Sequence, residues 1–311
     1  MNFKVMKNRK TYYFVSLALI VASILLFLIK GFNYGIDFKG GNIIRVTFDK
    51  ETNETEIKAA FTKIKDKINA DSDRFYFSPD QVVVQAVAEG KQREFIIQYP
   101  VANLDTKSTS EIHDTILEEL STLLPYDRST REISNVGPTL GDEMKKQALQ
   151  AAFLSVIGIL LYLGYRFDFH SASGVIMAVV HDLLIVLGYV SLMGIEFDTT
   201  VLAAVLTLLG YSVNNSIVIF DRIRENKRIS KQTNLIEIID ESIIQSLSRT
   251  LNTTITTLLA LLALVLYGGS SIHNFSVALT VGCVVGTYSS LVIAAPCIVD
   301  IFGLHKKEKS A

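Results

Sequence analysis

Six runs of apolar residues, each long enough for a helix to cross a bilayer, constrain this 311-residue chain more than any other feature. They lie near residues 11–29, 148–163, 173–193, 199–220, 243–267 and 275–299. Hydrocarbon offers no partner to a backbone N–H or C=O, so runs of this kind must satisfy those groups internally as helices. The expected fold class is a polytopic α-helical membrane protein with six transmembrane helices. The formal net charge of -1 leaves no broad basic surface, which argues against nucleic acid as a partner.

Lys and Arg in the short loops set the expected orientation. The first run follows Lys4, Lys7, Arg9 and Lys10, and no small-residue cleavage pattern closes it, so it reads as an uncleaved signal anchor. Arg166, the group Arg222, Arg224, Lys227, Arg228 and Lys231, and the tail Lys306, Lys307 and Lys309 fall on the same side as that basic start. The loops 194–198 and 268–274 carry no Lys or Arg. Both termini are therefore expected in the cytoplasm. The division that follows is a basic N-terminus at 1–10, a first helix at 11–30, an extracytoplasmic domain at 31–146, helices two to six over 147–299 and a basic tail at 300–311. Between the fourth and fifth helices, 222–242 is expected as a cytoplasmic loop holding a surface helix, amphipathic through Leu235, Ile236, Ile239 and Ile243.

The domain at 31–146 is too polar to enter a membrane. Residues 41–48 read as a strand, and 54–68 as a helix burying Ile57, Ala60, Phe61, Ile64 and Ile68, with Asn53 and Glu56 spaced to cap its start. Two β-rich runs at 81–87 and 93–99 flank the turn-like Glu89, Gly90 and Lys91. A second amphipathic helix at 109–124 buries Ile112, Ile116, Leu117 and Leu120, and a short strand follows at 131–136. This split βαβ order predicts an α+β, ferredoxin-like domain. Its expected role is docking.

Polar groups inside apolar runs are expensive and mark candidate sites. His181 and Asp182 lie about ten residues into the third run, or roughly 15 Å from its end at 1.5 Å per residue. Asn214 and Asn215 lie in the fourth, where their amides are expected to face other helices, and Arg249 lies near the start of the fifth. The expected arrangement pairs Asp182 with Arg249, with His181, Asn214 and Asn215 completing the hydrogen bonds of a proton or cation path. Protonation of a carboxylate beside an arginine changes local charge and biases helix packing. The competing reading is a fixed ion pair that holds the bundle together. For His181 alone, satisfaction by helix neighbours is a sufficient explanation. No P-loop, no G-x-S-x-G elbow and no metal-ligand spacing among the five histidines is present, so neither an enzyme nor a resident cofactor or metal is expected. Any work must draw on an ion gradient or on a partner's motor.

Five motifs in fixed order carry a resemblance. They are GIDFKGG at 35–41, VGPTLGDEM at 136–144, HDLLIVLG at 181–188, FDTTVLAAVLTLLGYSVNNSIVIFDRIREN at 197–226 and LSRTLNTTITTLLALLAL at 247–264. Together they resemble the SecF family, subunits of the bacterial protein-export translocase in the cytoplasmic membrane. The resemblance implies half of a resistance-nodulation-division type transporter. Such a subunit works with SecD and the SecYEG channel and uses the proton or sodium gradient to help draw an unfolded exported chain across. It also implies that Asp182, Asn214, Asn215 and Arg249 belong to the polar membrane core, and that the 31–146 domain lies on the exit side beside SecD's larger domain. Many family members carry an acidic residue where Asn215 stands. An asparagine carries no proton, so relay would fall to Asp182 or to a carboxylate of the partner. Two other readings remain: a structural subunit that moves no ions, and half of a small-molecule or lipid exporter of the same architecture.

Overall fold

The computed structural model describes residues 4–71, 82–86, 94–99, 106–127, 132–136, 138–229 and 234–302. The expected turn at Glu89, Gly90 and Lys91, and the basic residues Lys231, Lys306, Lys307 and Lys309, lie outside the described residues. In chain order the elements are α1 (Val5–Lys30), α2 (Ile36–Lys39), β1 (Gly41–Thr47), α3 (Glu54–Asp71), β2 (Val83–Ala86), β3 (Glu94–Tyr99), α4 (Thr106–Leu123), β4 (Glu132–Val136), α5 (Pro138–Arg166), α6 (Phe169–Met193), α7 (Thr199–Ile229), α8 (Leu235–Tyr267), α9 (Ser270–Ser289), a π-helical turn (Ser290–Ala294) and α10 (Ala295–Ile301). They form two units, one of Met1–Asn33, Gln150–Tyr267 and Asn274–Ala311, the other of Tyr34–Leu149 with Gly268–His273.

In the second unit a four-stranded antiparallel sheet has the order β2-β3-β1-β4. The first strand lies between the third and the last, so each helical crossover passes over one strand. Alternation along β1 and β3 turns Ile44, Val46, Phe95, Ile97 and Tyr99 to one face. Onto that face α3 packs Ile57, Phe61 and Ile64, and α4 packs Ile116, Leu117 and Leu120. The start of α3 is capped as its sequence predicts, with the Glu56 N–H donating to Asn53 Oδ1 at 2.8 Å.

The first unit is the membrane part of a multi-pass protein. Six helical stretches have the length and apolarity to span a bilayer: Val5–Lys30, Leu140–Arg166, Phe169–Met193, Thr199–Ile229, Leu235–Tyr267 and Ile272–Ile301. The expected loop at 222–242 is mostly helical. The fourth span does not stop at Asp221 but continues to Ile229, and the amphipathic segment forms the first turns of α8. Its Ile238 is buried, and Ile239 and Ile243 belong to the bundle core, so this segment is no surface helix. The last span is also less regular than expected, because the π-helical turn interrupts it just before Pro296. Proline lacks the N–H that would bond the carbonyl four residues back, and a widened turn accommodates its ring.

Charged groups tie one end of the bundle. Arg166 Nη2 contacts both carboxylate oxygens of Asp221 at 2.9 and 2.7 Å, joining α5 to α7. Arg9 Nε meets Asp300 Oδ2 at 2.7 Å, the Tyr13 hydroxyl donates to the same oxygen at 3.1 Å, and the Met6 N–H donates to Asp240 Oδ1 at 2.9 Å. Between spans, Asp168 caps α6 by accepting from the Ser171 hydroxyl at 2.8 Å and the Ser171 N–H at 3.3 Å. Partial burial pushes the Asp168 carboxyl up, but these hydrogen bonds outweigh it and hold the group below the usual carboxylate range. Close approach of helices falls on glycines. A Cβ at Gly188 of α6 would overlap Ser23 of α1, and one at Gly174 would sit 2.7 Å from the Ala294 carbonyl oxygen in the π-helical turn.

Candidate functional site

The buried polar centre of the bundle forms where α6, α7 and α9 meet. His181 and Asp182 are 3% and 1% exposed. Consecutive helical residues point about 100° apart, so both face inward only because α6 is covered on several sides. His181 Nδ1 lies 2.8 Å from Asp182 Oδ1. On the other carboxylate oxygen, Oδ2, the Ser212 hydroxyl of α7 donates at 2.6 Å and the Ser289 hydroxyl of α9 at 2.8 Å. Gly286, one turn before Ser289, leaves the room that the carboxylate occupies: a Cβ there would come within 3.4 Å of Oδ2.

Around this centre the ring of Tyr288 stacks on His181 with centroids 6.1 Å apart. The Tyr288 hydroxyl pairs with Ser16 Oγ at 3.2 Å and donates to the Tyr12 carbonyl at 3.3 Å, which brings α1 into the network. A parallel chain of hydroxyls links α7, α8 and α9, from Tyr211 to Thr254 at 2.9 Å and from Thr254 to Thr287 at 2.8 Å. Four buried polar atoms near these positions in the chain, His181 Nε2, Asn215 Nδ2, Ser216 Oγ and Thr250 Oγ1, have no hydrogen-bond partner among the described residues.

The structure separates the residues that the sequence grouped. His181, Asp182 and Asn215 are buried, whereas Asn214 and Arg249 are exposed on the bundle surface. Asp182 does not pair with Arg249. Helix phase is the reason: Ser246, Thr250 and Thr254 form the buried stripe of α8, and Arg249 is turned about 100° from Thr250. The same step turns Asn214 outward beside the buried Val213 and Asn215. Among the described residues the Arg249 guanidinium has no ion-pair partner. Sequence reasoning missed Ser212, Tyr288 and Ser289. Hydroxyls in apolar helices ordinarily bond the carbonyl a turn back, and only their spacing around Gly286 and beside Asn214 gave any signal.

Residues 116–303 match the description "Protein export membrane protein SecD/SecF, C-terminal", and residues 25–52 match the "SecD/SecF GG Motif". The chain belongs to the SecD/SecF family. It is 37% identical to the protein translocase subunit SecF of Rickettsia prowazekii over 308 residues, covering 99% of this chain and 93% of that one. It is 38% identical to SecF of Haemophilus influenzae over 305 residues, covering 97% and 86%. The crystal structure of SecDF, a translocon-associated membrane protein from Thermus thermophilus, superposes with a TM-score of 0.79 at 33% identity. That match covers 98% of this chain but only 39% of the SecDF chain, so this SecF-type sequence spans well under half of it.

Two of the family motifs meet in the second unit. Gly40 takes φ of 73°, a left-handed conformation that favours glycine. Against it packs Gly141, where a Cβ would lie 3.1 Å from both Gly40 N and the Phe38 carbonyl oxygen. The GG motif and the GDEM segment therefore fix each other through glycine-to-glycine contact.

Proposed function

We propose that this chain is a subunit of the Sec protein-export machinery that pairs with SecD in the bacterial cytoplasmic membrane and has both termini in the cytoplasm. It performs no chemistry and holds no cofactor. With SecD beside the SecYEG channel, it draws on the proton or sodium gradient to complete the passage of an unfolded chain. The observation that carries this reading is the outward placement of Asn214 and Arg249 in apolar spans. Polar groups at membrane depth face a bundle interior or a partner, and here they lie outside this chain's own bundle. The bundle is completed by another chain, and a SecD-type half that meets these residues with its own polar groups is the partner of matching chemistry. The likeness to SecDF supports this pairing.

The test reconstitutes the chain with SecD and SecYEG in vesicles and follows release of an exported reporter after the ATP-driven stage. Proton and sodium gradients are collapsed separately. Asp182→Asn and Arg249→Met are expected to co-purify with SecD yet lose the gradient-dependent part of release, and the gradient whose collapse matters names the ion. Normal gradient-dependent release by both assembled variants would overturn ion coupling through this subunit. That result would leave it a structural role, which the fully hydrogen-bonded Asp182 carboxylate also fits.

A further inference from the structure

The buried pair on α6 has an unused nitrogen. Nδ1 of His181 and Oδ1 of Asp182 face each other at 2.8 Å, so one proton lies on that line whichever atom carries it. Asp182 Oδ2 is saturated by two hydroxyls. Among the described residues Nε2 of His181, on a side chain 3% exposed, has no hydrogen-bond partner. An unpaired imidazole nitrogen in a membrane core is costly unless it is used.

Among the described residues the groups that contact the pair are uncharged. From α9 comes the Tyr288 ring, and from α1 Tyr12 and Ser16 through the Tyr288 hydroxyl. From α7 comes Ser212, with no ionisable contact to the pair. Arg9 and Tyr13 of α1 are engaged instead by Asp300 of α10. Among the described residues no Lys or Arg neutralises Asp182, whose only ion-pair partner is His181. With one proton the pair carries a charge of -1, and with a second it is neutral.

We propose, resting on the gradient-coupling reading above, that His181 Nε2 is the proton-accepting atom of this chain. The second proton enters and leaves there while the first stays on the line between Nδ1 and Oδ1. The pair thereby supplies the titratable group that Asn215 lacks. Loading sets an imidazolium against Oδ1, which draws the charge of the still ionised carboxylate toward that oxygen and makes Oδ2 a weaker acceptor for its neighbours. In the unloaded state Ser212 and Ser289 tie α7 and α9 firmly to α6. Loading the proton loosens both ties at once. Ser289 immediately precedes the π-helical turn against which Gly174 packs, so the change reaches the most irregular part of the bundle.

The test has two arms. In the first, the full-length chain is labelled with 15N-histidine and reconstituted in lipid bilayers, and its imidazole nitrogens are read by solid-state NMR from about pH 8 to pH 5. The His181 signals are assigned by their loss in His181→Gln. One bare nitrogen is expected to disappear as both nitrogens become protonated. A His181 ring that keeps one bare nitrogen across that range would overturn the proposal. In the second arm, His181→Gln assembled with SecD is expected to lose gradient-dependent release. If the assembled variant keeps it while the wild type shows it, His181 is not the acceptor and the coupling reading survives. If the wild type shows none, the coupling reading falls, and the NMR titration still decides where the proton binds.

Discussion

The second and third spans are neighbours in the chain and both are apolar over a bilayer's length, yet they live in opposite surroundings. In α5 only 6% of the most apolar window is buried within the chain, and in α6 50%. Phe153 and Leu161 of α5 are 65% and 70% exposed, while Val175 and Val190 of α6 are fully enclosed. Within the first unit both helices carry two glycines. Those of α5, Gly158 and Gly164, have nothing within 4 Å of a built Cβ, and those of α6, Gly174 and Gly188, have no room for one. Apolar length therefore places a helix in the membrane without saying what it touches. A small residue is a contact site only where another backbone lies against it.

That contrast is sharpest at Gly188. Gly188→Val forces α1 and α6 apart and is expected to cost about 1–3 kcal/mol or more, seen as a clear fall in the unfolding temperature of the purified chain. An unchanged melting temperature would mean that α1 and α6 can part at Ser23 and Gly188 without cost. Next comes the cap between the two helices. Asp168→Ala should cost about 1 kcal/mol at neutral pH. Because the folded carboxyl titrates below its unfolded value of about 3.9, that contribution is full above this value. It is lost as the pH falls through the lower folded value, so wild type and variant should converge in acid. A difference that persists in strong acid would show that Asp168 acts through something other than its carboxylate. The smallest effect belongs to α5. Gly158→Ala should stabilise the isolated chain by about 0.5–1 kcal/mol, since it meets nothing and removes a glycine from a helix interior. If the same change weakens co-purification with SecD, the bare face of α5 is where the partner packs.

What the sequence could reveal follows the same divide. Bilayer-length apolar runs located all six spans, and the alternation of the strands with the helical stripes of Ile57, Phe61, Ile116 and Leu120 laid out the second unit, because these signals come from local periodicity. The buried identities of His181, Asp182 and Asn215 were legible as polar groups in apolar surroundings. Their partners were not. Which way Arg249 and Asn214 point depends on helix phase within the packed bundle, and a single residue step separates burial from exposure. The hydroxyl donors Ser212 and Ser289 come from helices far away in the chain, so only the fold brings them to Asp182.

The π-helical turn gives the last span two facings. A regular helix repeats its faces without interruption, but an inserted residue rotates everything after it by about 100° relative to everything before. Upstream of the turn, Ser289 addresses the carboxylate of Asp182. Downstream, Ile298 lies against Gly174, and Asp300 reaches Arg9. One span thus serves two angular addresses with a single continuous backbone, as a key cut differently at its tip and its shank. Removing one residue from Ser290–Ala294 would leave the hydropathy of the span almost untouched and still misalign one of its two ends.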